Sequence, residues 1–428
     1  MAEPEQVTPA LRRIAQKSET IPFWRGPTLA GGFAGVAALH LHAARVASGP
    51  AERTARWRST YDFLRAALTS TVHTPVGPGL WDGASGLSLV LADCCQDEPR
   101  FAPTLDRLQQ QIAERVRAAL WPSTSGSVAP SDYDVISGAS GTLIHLSSVE
   151  NPTRDVQAAA IHARDFLLWL SEPEEQSSGI WHWRWHITPE RAPERATSKA
   201  KPDFPRGYLD VGMAHGVAGI VSGLAAAWQA GYRSAGLCAA MYRLTDWLLE
   251  VHDHAGRHGL WPAVLPLTSS GAPAEDSAVG QLGWCYGSTG CATALLNVAR
   301  ATGDDDLRRT ATQAFDAALS HLDTIKALSL CHGLAGLAMG CQEFASIGSV
   351  TAAEALPEIV NRLLTSADRR LPYLFSDPNE PTQMAAGGLA FLTGAPGIAL
   401  ALLTTAGQGH ISARSMPLLA RGSIQEFS

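Results

Sequence analysis

A chain of 428 residues, 46% hydrophobic and 17% charged, is long for one ordinary core and points to several domains or to a repeat architecture. The formal charge of −7, with no long basic block, argues against a nucleic-acid binder. Seven cysteines, an odd count, argue against a disulfide framework and fit burial, reactivity or metal binding in a reducing cytoplasm.

Met1 to Glu19 carries charges throughout and lacks the apolar stretch of a signal peptide. From there the chain repeats itself. A Gly-x-x-Gly step opens an apolar run at Gly32-Gly35, Gly83-Gly86, Gly138-Gly141, Gly216-Gly219, Gly287-Gly290, Gly333-Gly336 and Gly394-Gly397. The runs are nearly chargeless, as in Leu87 to Ala92 and Ile220 to Trp228, which describes helices buried on every side. Between them lie amphipathic segments. Leu105, Leu108, Ile112 and Val116 fall at helical spacing, as do Leu237, Met241, Leu244 and Leu248, and Leu307, Ala311, Phe315, Ala318 and Leu322.

A buried helix alternating seven times with an amphipathic one describes two concentric helical rings. The expected fold is all-α, an α/α toroid of seven helical hairpins filling residues 1–428 as one domain. Two intervals between repeats are long. One holds residues 176–209, read as a small β-containing insertion, because Trp181-His182-Trp183-Arg184-Trp185-His186 alternates as a strand does. The other holds His252 to Gly283, which is loop-rich. Ala385 to Ala406 lacks charge for about twenty residues, but its glycines and Pro396 favour a buried helix over a membrane span.

If the repeats are equivalent, the residues just before each first glycine meet at one mouth of the toroid. Immediately before it stand Gly31, Asp82, Ser137, His215, Tyr286, His332 and Thr393; one step earlier stand Ala30, Trp81, Ile136, Ala214, Cys285, Cys331 and Leu392. Helix N-termini here favour developing negative charge. Cys285, Cys331 and His332 make a Cys₂His set, which suits zinc with one exchangeable position. Two thiolates cancel the zinc charge, so a third, substrate thiolate would stay nucleophilic while the metal lowers its pKa. The expected chemistry is thiol activation. His215 and Tyr286 are titratable and could protonate a carbanion or enolate, or could simply be packed there. Asp134, four residues before its glycine, could orient His215 or cap the next helix. His252, His254 and His258 lie without a nearby cysteine and are not read as a metal cluster.

Trp284-Cys285-Tyr286-Gly287, Cys331-His332-Gly333, Ala214-His215-Gly216 and the seven Gly-x-x-Gly copies resemble the lanthionine synthetase C family over nearly the whole chain. The resemblance implies an α/α toroid with zinc (Zn2+) held by Cys285, Cys331 and His332. It gives His215, Tyr286 and Asp134 acid/base or orienting roles. It implies a cyclase that adds cysteine thiolates of a dehydrated precursor peptide, leader and core, to dehydroalanine or dehydrobutyrine, forming lanthionine thioethers. A separate dehydratase is the implied partner, in a complex that could sit at the membrane with an exporter. One position departs: Gln281 stands where the family often has Arg, so charge for an enolate would have to come from elsewhere, such as Arg206 or Lys201.

About thirty residues precede the first repeat, so a stand-alone cyclase is expected, with Trp181 to Trp185 placed where an insertion could touch a leader peptide. Two other functions compete: addition of glutathione to dehydrated residues, and a non-catalytic zinc scaffold for a dehydratase or leader. A toroidal glycosidase is disfavoured for want of a carboxylate pair.

Overall fold

The computed structural model describes residues 26–73, 77–121, 127–175, 181–192, 205–255, 259–274, 280, 282–371, 373–375 and 388–405. All seven Gly-x-x-Gly steps open helices, as their apolar runs require. These are α1 (Phe33–Arg45), α3 (Ala84–Asp97), α5 (Ala139–Ser147), α7 (Val217–Gln229), α9 (Ser288–Thr302), α11 (Leu334–Ser346) and α13 (Ala395–Thr405). Each is buried along almost its whole length. The amphipathic partners are α2 (Pro50–His73), α4 (Ala102–Ala118), α6 (Arg154–Leu170), α8 (Leu237–Ala255), α10 (Asp305–Ala318) and α12 (Val350–Thr365). A seventh partner would follow α13 and lies outside the described residues. Pro396 falls in the first turn of α13, where its missing N–H costs nothing. Among the described residues no helix is long and apolar enough to cross a membrane.

The chain divides into two compact units. The first comprises Met1–Gly77, Trp81–Gln109 and Leu319–Ser428. Its buried helices pack in the order α11, α13, α1, α3, so the seventh repeat docks on the first. The second comprises Pro78–Leu80 and Gln110–Ala318, with α5, α7 and α9 side by side. In both units a buried helix carries its amphipathic partner beside it, α2 on α1 and α12 on α11 in the first, α6 on α5 and α10 on α9 in the second.

At Gly35, Gly141, Gly219, Gly290 and Gly397 the second glycine of the step sets the spacing to the neighbouring repeat. A Cβ on Gly290 would lie 2.2 Å from the Trp284 carbonyl oxygen and 2.7 Å from Cβ of Met213, one repeat earlier. The same relation joins Gly219 to Val135 and Gly35 to Phe391. Any side chain would therefore force the helices apart, which is why the step recurs.

Equivalence of the repeats is written in backbone hydrogen bonds. In the first unit the N–H of Cys331 donates to Leu392 (3.0 Å), that of Leu392 to Ala30 (3.0 Å), and that of Ala30 to Trp81 (2.8 Å). In the second, Val135 donates to Ala214 (3.0 Å) and Ala214 to Cys285 (3.1 Å). These are the residues two steps before each first glycine, with one correction: the third repeat uses Val135 where equal spacing gave Ile136. The turn there is one residue longer because Asp134 folds its side chain back onto the N–H groups of Ser137 and Gly138.

The insertion is smaller in β content than its alternation suggested. Strand β1 (Pro173–Glu175) pairs antiparallel with β2 (Trp181–Trp183), and β3 (Tyr208–Asp210) with β4 (Val264–Pro266). The strand expected to run to His186 stops at Trp183, where a turn is closed by His186 N–H on the Trp183 carbonyl. The turn is worth more to the tryptophans than the strand. Trp183 and Trp185 stack with centroids 4.5 Å apart, both meet Trp247 of α8 edge-on, and Trp185 is fully buried.

Candidate active site

The second unit builds one reactive surface from three adjacent repeats. His215 and Tyr286 stand immediately before α7 and α9, with ring centroids 5.7 Å apart. Tyr286 and Cys285 ride on a tight loop closed by a bridge between Leu282 and Gly287. Gly287 has φ +147°, unlike the extended Gly32, Gly83, Gly138, Gly216 and Gly333 that start other buried helices, and an L side chain is strained there. The Cys285 carbonyl is tied to Ala214, and the Leu282 carbonyl accepts the Thr289 hydroxyl at 2.5 Å. Cys285 is thereby held, buried, at the start of α9.

Asp134 does both jobs the sequence left open. Its Oδ1 accepts the N–H groups of Ser137 (2.7 Å) and Gly138 (2.9 Å), capping the turn into α5. Its Oδ2 meets Nδ1 of His215 at 2.6 Å. Asp134 is buried while the His215 side chain is 33% exposed, so the carboxylate anchors and the imidazole faces out. Burial pulls the His215 pKa down, but the Asp134 hydrogen bond and charge outweigh it and the net shift is upward. With Nδ1 committed to Asp134, Nε2 is the nitrogen left for chemistry.

A second buried carboxylate, Asp210, was not picked out from the sequence. It ends β3 and accepts the Gly212 N–H at 3.0 Å. Burial, first of all, pushes it up to about 7. Burial, followed by the Asp210 charge, also pushes the Tyr286 phenol up, so the phenol keeps its proton. The available signal was a lone charge inside Tyr208-Leu209-Asp210-Val211, since a carboxylate in an apolar strand needs a partner.

In the first unit Cys331 and His332 precede α11 and are half-buried. The turn that presents them is fixed by Gly333 N–H on the Ser329 carbonyl and by Cys331 N–H on Leu392. Cys285, Cys331 and His332 make a possible metal-binding group offering one ligand atom each. Two thiols and an imidazole, none fully open to solvent, fit a borderline-soft ion. The other cysteines behave as packing residues to different degrees. Cys94, Cys291 and Cys341 are buried, whereas Cys95 and Cys238 are half-buried. No cysteine is in a disulfide. His252 and His254 fall in the last turn of α8 instead of a loop, and His252 packs its ring on Trp261. Arg206 is exposed, with its carbonyl on the His186 ring at 2.6 Å. Gln281, Lys201 and His258 lie outside the described residues.

The sequence pattern of the family described as lanthionine synthetase C-like protein matches residues 24–416. The chain belongs to the lanthionine synthetase C-like family. Nisin biosynthesis protein NisC of Lactococcus lactis subsp. lactis is 26% identical over 268 residues, which are 62% of this chain and 62% of NisC. The solved structure of nisin cyclase superposes with a TM-score of 0.77 at 21% identity, covering 96% of each chain. That likeness gives this lanthionine synthetase C-like protein the α/α toroid fold expected from its repeats.

Proposed function

We propose that the protein is a zinc-dependent lanthipeptide cyclase. It would join cysteine thiols of a dehydrated precursor peptide to dehydroalanine or dehydrobutyrine as (methyl)lanthionine thioethers. The observation that carries this reading is the His215–Asp134 pair beside Tyr286 and Cys285 in a chain of this family. In the toroid, the fifth and sixth repeats are successive, which supports Cys285, Cys331 and His332 as joint ligands of one ion. When bound, zinc would hold a substrate thiol as a nucleophilic thiolate.

The residues of the chain itself divide the remaining work. Asp134 fixes the ring of His215 and raises its affinity for a proton. Thiolate addition leaves a carbanion next to a peptide carbonyl, and protonated His215 can deliver the proton from Nε2. Placing thiol and alkene together on a rigid helix-start surface supplies the proximity that selects one ring over another. Thiolate ligands must stay reduced, which suits a cytoplasmic protein, working with a separate dehydratase and, through it, with an exporter at the membrane. The Trp183–Trp185–Trp247 cluster is a candidate leader contact. The glutathione-adding alternative gains no support from these relatives.

The test is a free-thiol count on a dehydrated, cysteine-containing precursor from the protein's own gene neighbourhood. Zinc-loaded protein should consume thiols with no change in peptide mass, and chelated protein should not. Unchanged thiol counts with every dehydrated neighbour would overturn the reading.

A further inference from the structure

Within the first unit, α2 and the start of α4 leave a hollow of about 430 Å³ between them. Tyr61, Leu64 and Leu68 of α2 line it, with Phe101 in the turn before α4. The Tyr61 and Phe101 rings stand tilted, with centroids 6.3 Å apart. Leu64 is 1% exposed but Tyr61 is 51% exposed, so a large ring stays in water beside apolar ground. The volume lies in the range of binding pockets, roughly 300–1,000 Å³. Tyrosine is also the residue type that anchors interfaces, with an apolar body and a polar tip.

The charge around the hollow is positive. Arg65 lines it and is paired with Asp62 at 3.5 Å, both side chains more than half exposed, so the pair contributes little and exchanges easily. Thr104 lines the α4 side and accepts Nη2 of Arg107 at 3.3 Å; Arg107 also donates to the Pro103 carbonyl at 3.2 Å. Neutral acceptors thus hold that guanidinium at the rim. Arg58, exposed, stands one turn before Tyr61 on α2. The nearby acids are committed elsewhere. Glu98 is bonded by Arg100, and burial and then the Asp106 charge raise the Cys95 thiol, which places Asp106 on the α3 side. The Thr69 hydroxyl donates to the Arg65 carbonyl, so polar recognition falls to the guanidinium groups. A cationic rim stands out on a chain of formal charge −7.

We propose that this hollow is a docking site for an acidic peptide segment, which seats one large apolar side chain between Tyr61 and Phe101 and sets its carboxylates against Arg65 and Arg107. The shape favours a peptide over a lipid surface. A membrane takes up protruding apolar side chains, whereas a hollow between two helices receives a side chain that a peptide carries in. The site is independent of the cyclase reading.

The test is an array of random octapeptides probed with the full-length protein. Signals that the wild type gives and Tyr61→Glu loses should come from peptides with Leu, Phe or Trp flanked by Asp or Glu. The charge reversal Arg65→Glu should move the preferred flanks toward Lys and Arg, which a merely structural arginine would not do. In solution the best peptide should bind Arg65→Glu at least roughly tenfold more weakly than wild type. Both positions are exposed, so both variants should melt near wild type, and Arg65→Glu alone decides the matter should Tyr61→Glu melt early. An array without variant-sensitive signals, or with sensitive peptides that lack acidic residues, overturns the proposal. Capture of the wild type but not of Tyr61→Glu by phosphatidylglycerol vesicles overturns it in favour of a membrane. A dimer in sedimentation that Tyr61→Glu abolishes overturns it in favour of a second copy of the chain.

Discussion

His215 meets Asp134 at 2.6 Å in one unit, and His42 meets Asp93 at 3.4 Å in the other, yet the two imidazoles are driven in opposite directions. His215 stands at a helix start, 33% exposed, and its pKa rises. His42 lies inside α1 and its pKa falls to about 4, first through burial and then against the partial resistance of Asp93. The fuller burial of His42 makes the larger part of the difference, and what else each carboxylate faces adds to it. Asp93 accepts Arg45 at 2.9 Å, and Arg45 also grips Asp97, so a permanent cation already answers the charge. Asp134 spends one oxygen on neutral backbone N–H groups and keeps the other for the imidazole. The same residue pair raises the proton affinity of a half-exposed imidazole in one setting and braces α1 against α3 in the other.

The largest expected effect breaks the first pair. His215→Asn should slow thiol consumption by roughly 10²- to 10³-fold, the scale of a lost general acid, with zinc content and melting temperature unchanged. Asp134→Asn should cost less in rate but more in stability, since it also weakens the cap on α5. Breaking the second pair should do the reverse. Asp93→Ala leaves Arg45 and His42 without their shared partner and should destabilise the protein by about 3 kcal/mol in denaturant titration. Activity per folded molecule should be spared.

Acid sharpens the contrast. A histidine whose folded pKa is depressed takes up a proton only on unfolding. Its contribution to stability is therefore whole above pH 6.5 and lost as pH falls toward 4. His42 alone would account for up to roughly 3 kcal/mol by pH 4, at about 1.4 kcal/mol per unit. Buried His40 and His145, at about 3 and about 4, act in the same direction. His42→Gln should flatten the acid limb of a stability–pH curve. His215→Gln should instead lower stability evenly below pH 6.5 and leave the slope of the acid limb unchanged, because a raised pKa contributes stability that is whole below pH 6.5 and lost as pH rises through the folded value. The smallest effect is Asp97→Ala. It removes the more exposed partner of Arg45 and should cost less than about 1 kcal/mol.

The repeat and its buried helices were legible because a glycine step and an uncharged run are local signals, and packing enforces both. The ligand candidates and His215 were legible because their distance from the repeat glycine is fixed. Asp134 was half legible: its spacing placed it, but its double use of Oδ1 and Oδ2 depends on α5 and α7 lying side by side. Asp210 escaped because it sits six residues before its glycine, on a strand whose pairing partner lies more than fifty residues downstream. The Trp181–His186 alternation misled because tryptophan stacking, which period-two patterning does not register, bends the chain after Trp183.

The central claim is that the half-exposed His215, held by Asp134, does the proton chemistry of thioether formation. It is tested most directly by following free-thiol loss in a dehydrated precursor with wild-type protein and His215→Asn at matched zinc occupancy. The account predicts rapid loss for the wild type and a rate at least a hundredfold lower for the variant, with both proteins equally folded. Equal rates at equal occupancy would contradict it.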